Sequence, residues 1–448
     1  MGLRDFLQEV ERRWPDQVLR IDEEIDPRYE ITAIVVALER RGRSPVVWFD
    51  RVKGSRFPVV VNVGATRERL ALALDCSPKG LQEAYLSRIE RPIPPVEVET
   101  GPVKEVVHLG DEANVLDFPQ IVHHQDDGGP YISFGMAVAR DPDTGNYNAS
   151  YNRLMMKGPR VTGIYMTPGR HLRNYYLKAA ERGRPLEVAV LVGVPLEYTL
   201  GAMFHGPIQE DELSIMGALA GRPVPVVRCE TLDLLVLADA EIVIEGQVPP
   251  GVQEMEGPFG EFTGYASGAR MREVFQVKAI THRRDAVFQD MAPGYREMFQ
   301  ISFPHEACLY RTLGGLVPAL KALHRAAPLV LFMSISQRHE GQGKNALFAA
   351  LAAEFYNKVV VVVDDDVDVR DYRQVMWAVA TRAQPDRDIF IVPNALGAGL
   401  DPSCTREGIT AKIGIDATAK PSLGEYAPRN RVPQEVMERI ERSAILGP

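Results

Sequence analysis

The first hundred residues alternate between two patterns of hydrophobic positions. Leu3, Phe6, Leu7 and Val10 recur at the spacing of an amphipathic helix. This pattern predicts helices over 3–13, 30–42 and 66–74, and buried strands over 46–49 and 59–63. The proline-rich stretch 91–95 is extended and serves as a linker. We therefore predict a small α/β domain over residues 1–100.

The pattern changes near residue 101. Short β-like runs are separated by Gly, Pro, Asn and Asp, which is typical of an antiparallel sheet or barrel. The predicted strands cover 103–107, 132–139, 187–194, 224–228, 241–244 and 274–281, with helices near 171–182 and 210–220. We predict a second, β-rich domain over residues 101–302.

From residue 303 onward, apolar strands alternate with helices, as in βαβ units with a buried parallel sheet. The predicted strands cover 330–335, 359–363 and 389–392, and the helices cover 344–356 and 372–382. This predicts a third domain over residues 303–432. An amphipathic helix follows within 433–448 and is a candidate dimer contact. Packing of that helix on its own domain is an equal alternative.

Composition narrows the class of protein. The formal net charge of the 448 residues is −9 and the basic residues are dispersed, which argues against a nucleic-acid partner. The four cysteines lie far apart without a C-x-x-C pair, which fits a reducing compartment. The longest apolar run, 359–363, is too short to span a membrane. With no signal-peptide pattern at its N-terminus, the protein is expected to be cytoplasmic.

The most informative stretch is Glu256-Gly257-Pro258-Phe259-Gly260-Glu261. Glycine frees φ and proline fixes it, so the segment should form a tight, structured turn. A turn that holds two acids five positions apart can direct both into one cleft. The alternative is a surface turn with two solvated glutamates.

A second group is Asn148-Ala149-Ser150-Tyr151-Asn152-Arg153. On a strand, Asn148, Ser150 and Asn152 share one face, and Arg153 lies on the other unless a bulge or bend turns it. An arginine supplies a planar, permanently charged fork for carboxylates. Placed between Glu256 and Glu261, it would fix both acids. The alternative is a surface arginine on an ordinary strand.

His171 and Glu212 complete the candidates. A histidine, a carboxylate and an amide oxygen together suit a divalent ion such as Mn²⁺ or Mg²⁺. A hydrogen-bonded structural histidine and a solvated acid at a helix start are the alternatives, and the residues alone leave them open.

These motifs, in this order, resemble the UbiD family of reversible decarboxylases, which use prenylated flavin mononucleotide (prenylated FMN). The residues that carry the resemblance are Asn148-x-Ser150-x-x-Arg153, His171, Glu212, the 256–261 turn and the stretch 412–418. The resemblance covers nearly the whole chain. It implies a multidomain α+β and α/β fold whose central domain is a flavin-reductase-like split β-barrel.

The resemblance also implies roles for individual residues. Metal ligands fall on Asn148, His171 and Glu212, where Mn²⁺ or Mg²⁺ ties the cofactor phosphate to the protein and K⁺ binds nearby. The catalytic Glu-Arg-Glu set falls on Glu256, Arg153 and Glu261. Cofactor contacts fall on Asn148, Ser150, Arg153, Ser133 and Lys358.

The implied reaction is reversible, non-oxidative decarboxylation through a covalent adduct with prenylated FMN, after which Glu261 protonates the product. Loss of CO₂ from an sp² carbon needs an electron sink, which a cofactor must provide. The substrate is expected to be an aromatic, heteroaromatic (furan- or pyrrole-type) or α,β-unsaturated carboxylic acid. Candidate substrate contacts are Arg296, Ile301, His305 and Arg311. The polar ones suit a second carboxylate or a ring heteroatom, or are ordinary helix-surface groups.

Two rival interpretations remain at this stage. One is an oxidoreductase that uses ordinary flavin on the same barrel, and the other is a non-catalytic subunit of a carboxylase complex. The intact set of Arg153, Glu256 and Glu261 counts against the second. The resemblance further implies a flavin prenyltransferase as cofactor source and a homodimer or dimer-based oligomer.

Overall fold

The computed structural model describes residues 2–405, 408–423 and 429–442. It divides into two compact units, which are Met1–Thr312 with Ala398–Gly408, and Leu313–Gly397 with Ile409–Pro448. The helices are α1 (Leu3–Arg13), α2 (Glu30–Arg40), α3 (Arg67–Ala73), α4 (Leu81–Ile89), α5 (His171–Glu181), α6 (Leu196–Ala202), α7 (Glu212–Ala220), α8 (Arg296–Ile301), α9 (Phe303–Leu316), α10 (Gln342–Ala353), α11 (Tyr372–Arg382), α12 (Pro385–Asp388) and α13 (Gln434–Glu441). The strands are β1 (Val18–Ile25), β2 (Val46–Val52), β3 (Val59–Val61), β4 (Val96–Glu97), β5 (Val106–Leu109), β6 (Tyr131–Arg140), β7 (Tyr147–Gly158), β8 (Val161–Ile164), β9 (Leu186–Val192), β10 (Pro225–Arg228), β11 (Leu235–Leu237), β12 (Ile242–Val248), β13 (Gln253–Glu256), β14 (Arg270–His282), β15 (Phe288–Gln289), β16 (Leu320–Ala327), β17 (Val330–Ile335), β18 (Val359–Asp364), β19 (Ile389–Leu396) and β20 (Ile409–Ala417).

A closed six-stranded antiparallel barrel forms the centre of the first unit. Its strand order is β12-β9-β6-β7-β8-β14, and β12 also pairs with β14 to close the ring. Closure removes the exposed strand edges that an open sheet would leave. Strands β5 and β13 extend the sheet along β14. The predicted multidomain α+β fold with a central β-barrel is confirmed.

A four-stranded sheet with the order β1-β2-β3-β15 lies in the N-terminal part of the same unit. Strand β15 comes from far along the chain, and its Phe288 and Gln289 pair in parallel with Val59 and Val60. The residues that follow β15 therefore start beside the N-terminal sheet. The hydrophobic pattern did not predict this strand, because two residues are too few to show a period.

The second unit contains a five-stranded sheet with the order β16-β17-β18-β20-β19. The three inner strands are parallel, and 359–363, predicted as a buried strand, forms most of the central one. Both outer strands run antiparallel to their neighbours, so the predicted parallel sheet holds only for the interior.

Several predicted boundaries were wrong. The strand predicted at 103–107 begins only at Val106, after a 3₁₀ turn at Pro102–Lys104. Strand β1 was not predicted, because its more buried and more exposed positions do not alternate clearly and several of its residues are charged. The helix predicted at 344–356 is displaced toward the N-terminus and ends at Ala353. In the terminal segment, the described helix covers Gln434–Glu441, and 443–448 lie outside the described residues.

No helix in the described part of the chain is long and apolar enough to cross a membrane.

Candidate active site

Arg153 lies between the two glutamates of the 256–261 turn. Its Nε and Nη2 donate to Glu256 at 3.0 and 3.2 Å, and its Nη1 donates to Glu261. All three side chains are buried. The guanidinium carbon also lies 4.4 Å from the ring centroid of Tyr165 and 4.9 Å from that of Phe259. The three residues form one buried, aromatic-walled charge cluster.

The strand geometry explains how Arg153 reaches the acids. Asn148, Ser150 and Asn152 lie on one face of β7, where Ser150 Oγ donates to Asn148 Oδ1 at 3.2 Å and Asn152 Nδ2 donates to Ser150 Oγ at 3.1 Å. Opposite Arg153, β6 contains one extra residue, so that Ser133 and Phe134 face a single position. Such a bulge bends a strand and re-aims neighbouring side chains.

The turn that carries the acids is held by its own backbone. Gly257 has φ of 89°, a left-handed conformation that favours glycine. Ser267 fastens the turn from the other side, since the Phe259 amide donates to its Oγ at 3.2 Å and its own amide donates to the Phe259 carbonyl at 2.8 Å. The Glu261 amide donates to the Tyr265 carbonyl at 2.9 Å. The acids thus project from a fixed backbone.

Burial and neighbouring charges set the acidity of this cluster. Burial raises the pKa of Glu261, the Arg153 guanidinium opposes that rise, and Glu256 and Asp127 add to it, which leaves the pKa raised. Burial lowers the pKa of Arg153, but Glu261 and Glu256 outweigh it, and the pKa is raised. A permanently charged arginine therefore lies beside a carboxyl group that resists ionisation.

The three predicted metal ligands also come together. Glu212 Oε1 accepts from Asn148 Nδ2 at 3.2 Å and lies 3.3 Å from His171 Nδ1. Asp211, which caps α7, accepts from the Tyr147 amide at 3.1 Å and so fixes the start of α7 against β7. Burial raises the pKa of Glu212, and His171 opposes the rise.

The donor set fits a divalent ion. Glu212 Oε2 is buried and has no hydrogen-bond partner among the described residues. An orphaned carboxylate oxygen is costly to bury without a partner, and a cation would satisfy it. Carboxylate oxygen, imidazole nitrogen and amide oxygen suit Mn²⁺ or Mg²⁺. The described residues hold no cluster of three or more His, Cys, Asp or Glu side chains that could bind a metal, and the predicted set pairs His171 and Glu212 with the amide of Asn148.

The other predicted cofactor contacts are dispersed. Ser150 lies beside Asn148 in the metal-ligand cluster. Ser133 is buried, and its Oγ lies 2.8 Å from the Met291 carbonyl oxygen and also contacts an Asp290 carboxylate oxygen, one of which accepts its hydrogen. Lys358 belongs to the second unit and is half-buried just before β18.

The predicted substrate contacts divide into three places. Arg296 is exposed at the start of α8, and Ile301 is buried in the hydrophobic core. His305 on α9 lies with its ring centroid 5.2 Å from that of His205. The Arg311 guanidinium lies 6.0 Å from the Phe204 ring. The structure therefore brings His305 and Arg311 to the 204–205 loop and leaves Arg296 apart.

A cavity of about 750 Å³ adjoins Glu261 on one side. Its walls include His123, His124, Tyr265 and Tyr295. His123 is a buried residue of this wall, and its Nδ1 lies 2.8 Å from Thr32 Oγ1. Sequence reasoning missed this wall. The adjacent histidines were the available signal, but they precede the polar loop 125–129 and so are part of an ordinary turn pattern.

Comparison with known proteins covers nearly the full chain. Residues 12–89, 95–296 and 299–417 match the N-terminal, Rift-related and C-terminal domains of the family described as 3-octaprenyl-4-hydroxybenzoate carboxy-lyase, UbiD. These matches extend over both units and include Asn148, Ser150, Arg153, His171, Glu212 and the 256–261 turn.

Individual relatives and solved structures support the match to this family. Anhydromevalonate phosphate decarboxylase of Methanothermobacter thermautotrophicus is 34% identical over 428 residues, which are 93% of this chain and 96% of that protein. Phenolic acid decarboxylase of Sedimentibacter hydroxybenzoicus is 32% identical over 443 residues, covering 93% and 91%. The UbiD-class enzyme HmfF from Pelotomaculum thermopropionicum, solved in complex with FMN, superposes with a TM-score of 0.92 at 38% identity, covering 99% and 100%. An evolved dimeric form of that enzyme, in complex with prenylated FMN, has a TM-score of 0.88 at 35% identity, covering 99% of both chains. This chain belongs to the UbiD family of carboxy-lyases.

Proposed function

We propose that this enzyme catalyses the reversible, non-oxidative decarboxylation of an aromatic, heteroaromatic or α,β-unsaturated carboxylic acid with prenylated FMN as cofactor. The observation that carries the proposal is the buried Glu256–Arg153–Glu261 cluster. Relatives that are named decarboxylases, and a similar enzyme that holds FMN or prenylated FMN, support it.

When bound, prenylated FMN would supply the electron sink that no side chain offers, through a covalent bond to the substrate. Its phosphate would be held through Mn²⁺, or Mg²⁺, on Asn148, His171 and Glu212, with K⁺ nearby. Ser150, Ser133 and Arg153 are the proposed contacts to the flavin. The unpartnered oxygen of Glu212 is the observation that supports a cation here.

The protein groups then have distinct tasks. Arg153 orients the substrate carboxylate. The bond to CO₂ breaks, and a proton from the Glu261 carboxyl forms the new C–H bond at the carbon that lost CO₂. The Glu261 carboxylate regains its proton from water, and the cavity beside it provides access for water. A raised pKa favours the protonated form of Glu261 before the transfer.

His305 and Arg311 support a substrate with a second anionic group. Arg170 Nη1 lies 2.6 Å from His205 Nδ1, and His205 lies next to His305. With Arg311 near Phe204, four basic side chains therefore gather around the 204–205 loop. Such a cluster matches a second carboxylate. Arg296 and Ile301 remain weaker candidates for substrate contact.

Three further proposals follow from the same function. A separate flavin prenyltransferase would supply the cofactor, and the protein would act as a homodimer or dimer-based oligomer in the cytoplasm. The reaction would release CO₂, and a high CO₂ concentration would drive carboxylation.

The first test is co-expression with a flavin prenyltransferase in the presence of Mn²⁺. Absorbance and mass analysis should detect bound prenylated FMN, and aryl, furoic, pyrrole and acrylic acids should be assayed for CO₂ release. Glu261→Gln should retain the cofactor and lose decarboxylation, because the amide cannot donate the proton. The matched control Glu254→Gln, exposed two residues before Glu256, should remain active. A fully active Glu261→Gln enzyme, or a wild type that binds only unmodified flavin, would overturn the proposal.

A further inference from the structure

The segment 123–128 lies directly against the turn that carries Glu261. Asp127 makes three charge-assisted hydrogen bonds to backbone amides. Its Oδ1 accepts from the Gly260 amide at 2.9 Å, and its Oδ2 accepts from the amides of His123 and His124 at 3.1 and 2.9 Å. One carboxylate therefore joins its own loop to the residue that precedes Glu261.

The two backbones approach closely on both sides of this link. The Gly128 amide donates to the Pro258 carbonyl at 2.8 Å. A Cβ on Gly128 would lie 2.3 Å from the Gly257 carbonyl oxygen, and a Cβ on Gly260 would lie 2.2 Å from His124 Nδ1. Only glycine fits at either position without movement. The turn is therefore clamped against segment 123–128 over its length, and Asp127 supplies the charged part of the clamp.

Asp127 also acts on Glu261 through its charge. Burial raises the pKa of Asp127, but hydrogen bonds from His124 and from the Gly260 amide lower it, and the pKa is lowered. Asp127 is thus ionised at neutral pH, and its charge contributes to the raised pKa of Glu261. The other charged or titratable groups around Glu261 are Arg153 and Glu256 in the cluster and, around the cavity, Tyr29, Arg40, His123, His124, Asp126, Tyr265 and Tyr295.

We propose that Asp127 is a positioning residue of the decarboxylase, which fixes the Gly260–Glu261 backbone and holds Glu261 in its proton-donating form. This inference rests on the proposed function of Glu261. Asp127 reaches the substrate only through Glu261. Nothing in the resemblance to the family assigned a role to this residue.

The test compares Asp127→Asn and Asp127→Ala with Asp126→Asn. Asp126 is the adjacent exposed acid and makes no hydrogen bond to the 256–261 turn among the described residues. Asp127→Asn removes the charge and keeps one carbonyl acceptor, whereas Asp127→Ala removes all three bonds. The measurements are the pH dependence of kcat in the loaded enzyme and amide hydrogen exchange at Gly260 in the protein without cofactor.

We expect kcat to fall about tenfold or more in Asp127→Ala, because small misplacements of a catalytic group are costly. In Asp127→Asn, the decline of kcat as pH rises should occur at a lower pH than in wild type, because removal of a negative charge favours ionisation of Glu261. Hydrogen exchange at the Gly260 amide should be faster in both Asp127 variants than in wild type. In Asp126→Asn the exchange rate should be unchanged.

A pH profile of Asp127→Asn that superposes on that of wild type would overturn the electrostatic part of the inference. Unchanged exchange at Gly260 in Asp127→Ala would overturn the anchoring part. If wild type itself releases no CO₂ from any acid when loaded, the proposed function fails, and the exchange measurement still decides whether Asp127 anchors the turn.

Discussion

Two buried polar clusters begin on the same strand, five residues apart, and differ in how far the chain completes them. Around Arg153, every charge has a protein partner of opposite sign. Around Asn148, His171 and Glu212, one carboxylate oxygen is buried without a partner among the described residues. The first cluster is finished when the chain folds, whereas the second is left unfinished, with one carboxylate oxygen to which the proposed function assigns a cation. Under the proposed function, the difference separates groups that act on the substrate from groups that hold a cofactor.

The largest expected effect is at the finished cluster. Arg153→Met should abolish decarboxylation and lower the free energy of unfolding by about 3–5 kcal/mol, because two buried carboxylates lose their counter-charge. Urea unfolding measures this. The control Arg160→Met removes an exposed pair with Asp111 and should cost less than about 1 kcal/mol. Adding Glu256→Gln and Glu261→Gln to Arg153→Met should restore stability. Equal stability of the two arginine variants would contradict the comparison.

An intermediate effect is expected at Glu297, another buried acid, which has neither a direct arginine partner nor a place in the metal cluster among the described residues. Its oxygens accept from the Asn62 and Gly64 amides at 2.7 and 2.8 Å. Burial raises its pKa to about 7 from an ordinary value of 4.5, although the two amides and Arg69 oppose the rise. A raised pKa contributes stability that is full below pH 4.5 and is lost as pH rises through about 7.

Wild type should therefore lose up to about 3 kcal/mol of unfolding free energy from Glu297 between pH 4.5 and 8. In Glu297→Gln, the change in unfolding free energy over this pH range should be smaller by that amount. Glu83→Gln, on α4 and part of the solvated face, is the control and should leave the slope unchanged. A slope that persists in Glu297→Gln would show that other groups carry it.

The smallest effect without ligand is expected at the unfinished cluster. Glu212→Gln should leave the metal-free protein at least as stable as wild type, because it removes a buried charge that has a partner at only one of its two oxygens. Addition of Mn²⁺ at about a hundred times its dissociation constant should stabilise wild type by about 2.7 kcal/mol and the variant not at all. Thermal unfolding with and without Mn²⁺ measures both, and Glu181→Gln, exposed on α5, is the control. Destabilisation of the metal-free variant would place Glu212 with the Arg153 cluster instead.

The sequence was sufficient for those parts of the site whose signal is local. The 256–261 turn has its glycines and proline at fixed offsets, and alternation along β7 placed Asn148, Ser150 and Asn152 on one face. The sequence was insufficient where an interaction joins residues that lie far apart along the chain. The bond between Asp127 and Gly260 spans 133 positions, and a lone acid in a polar loop has no periodic signature.

The same limit applies to the fold. The strand 359–363 was predicted because its five residues form an unbroken run of valines. Strand β15 and the bulge in β6 opposite Arg153 arise from tertiary pairing, and neither leaves a pattern in the local sequence. Glu297 was missed for a related reason. An acid in a short helix has the appearance of a solvated residue, and its burial depends on amides that lie more than 230 positions away.

The pairing of β15 with β3 has a consequence for protein synthesis. Residues Val59–Val61 are fully buried in the finished protein, but one edge of their strand has no partner until residue 289 has been made. At about 5–20 residues per second, the ribosome needs roughly 10–50 s to cover that interval. During this time a valine-rich edge is open to other chains, which is the situation in which β-strands aggregate. The nascent chain should thus require chaperone protection until the last strand of its first sheet emerges.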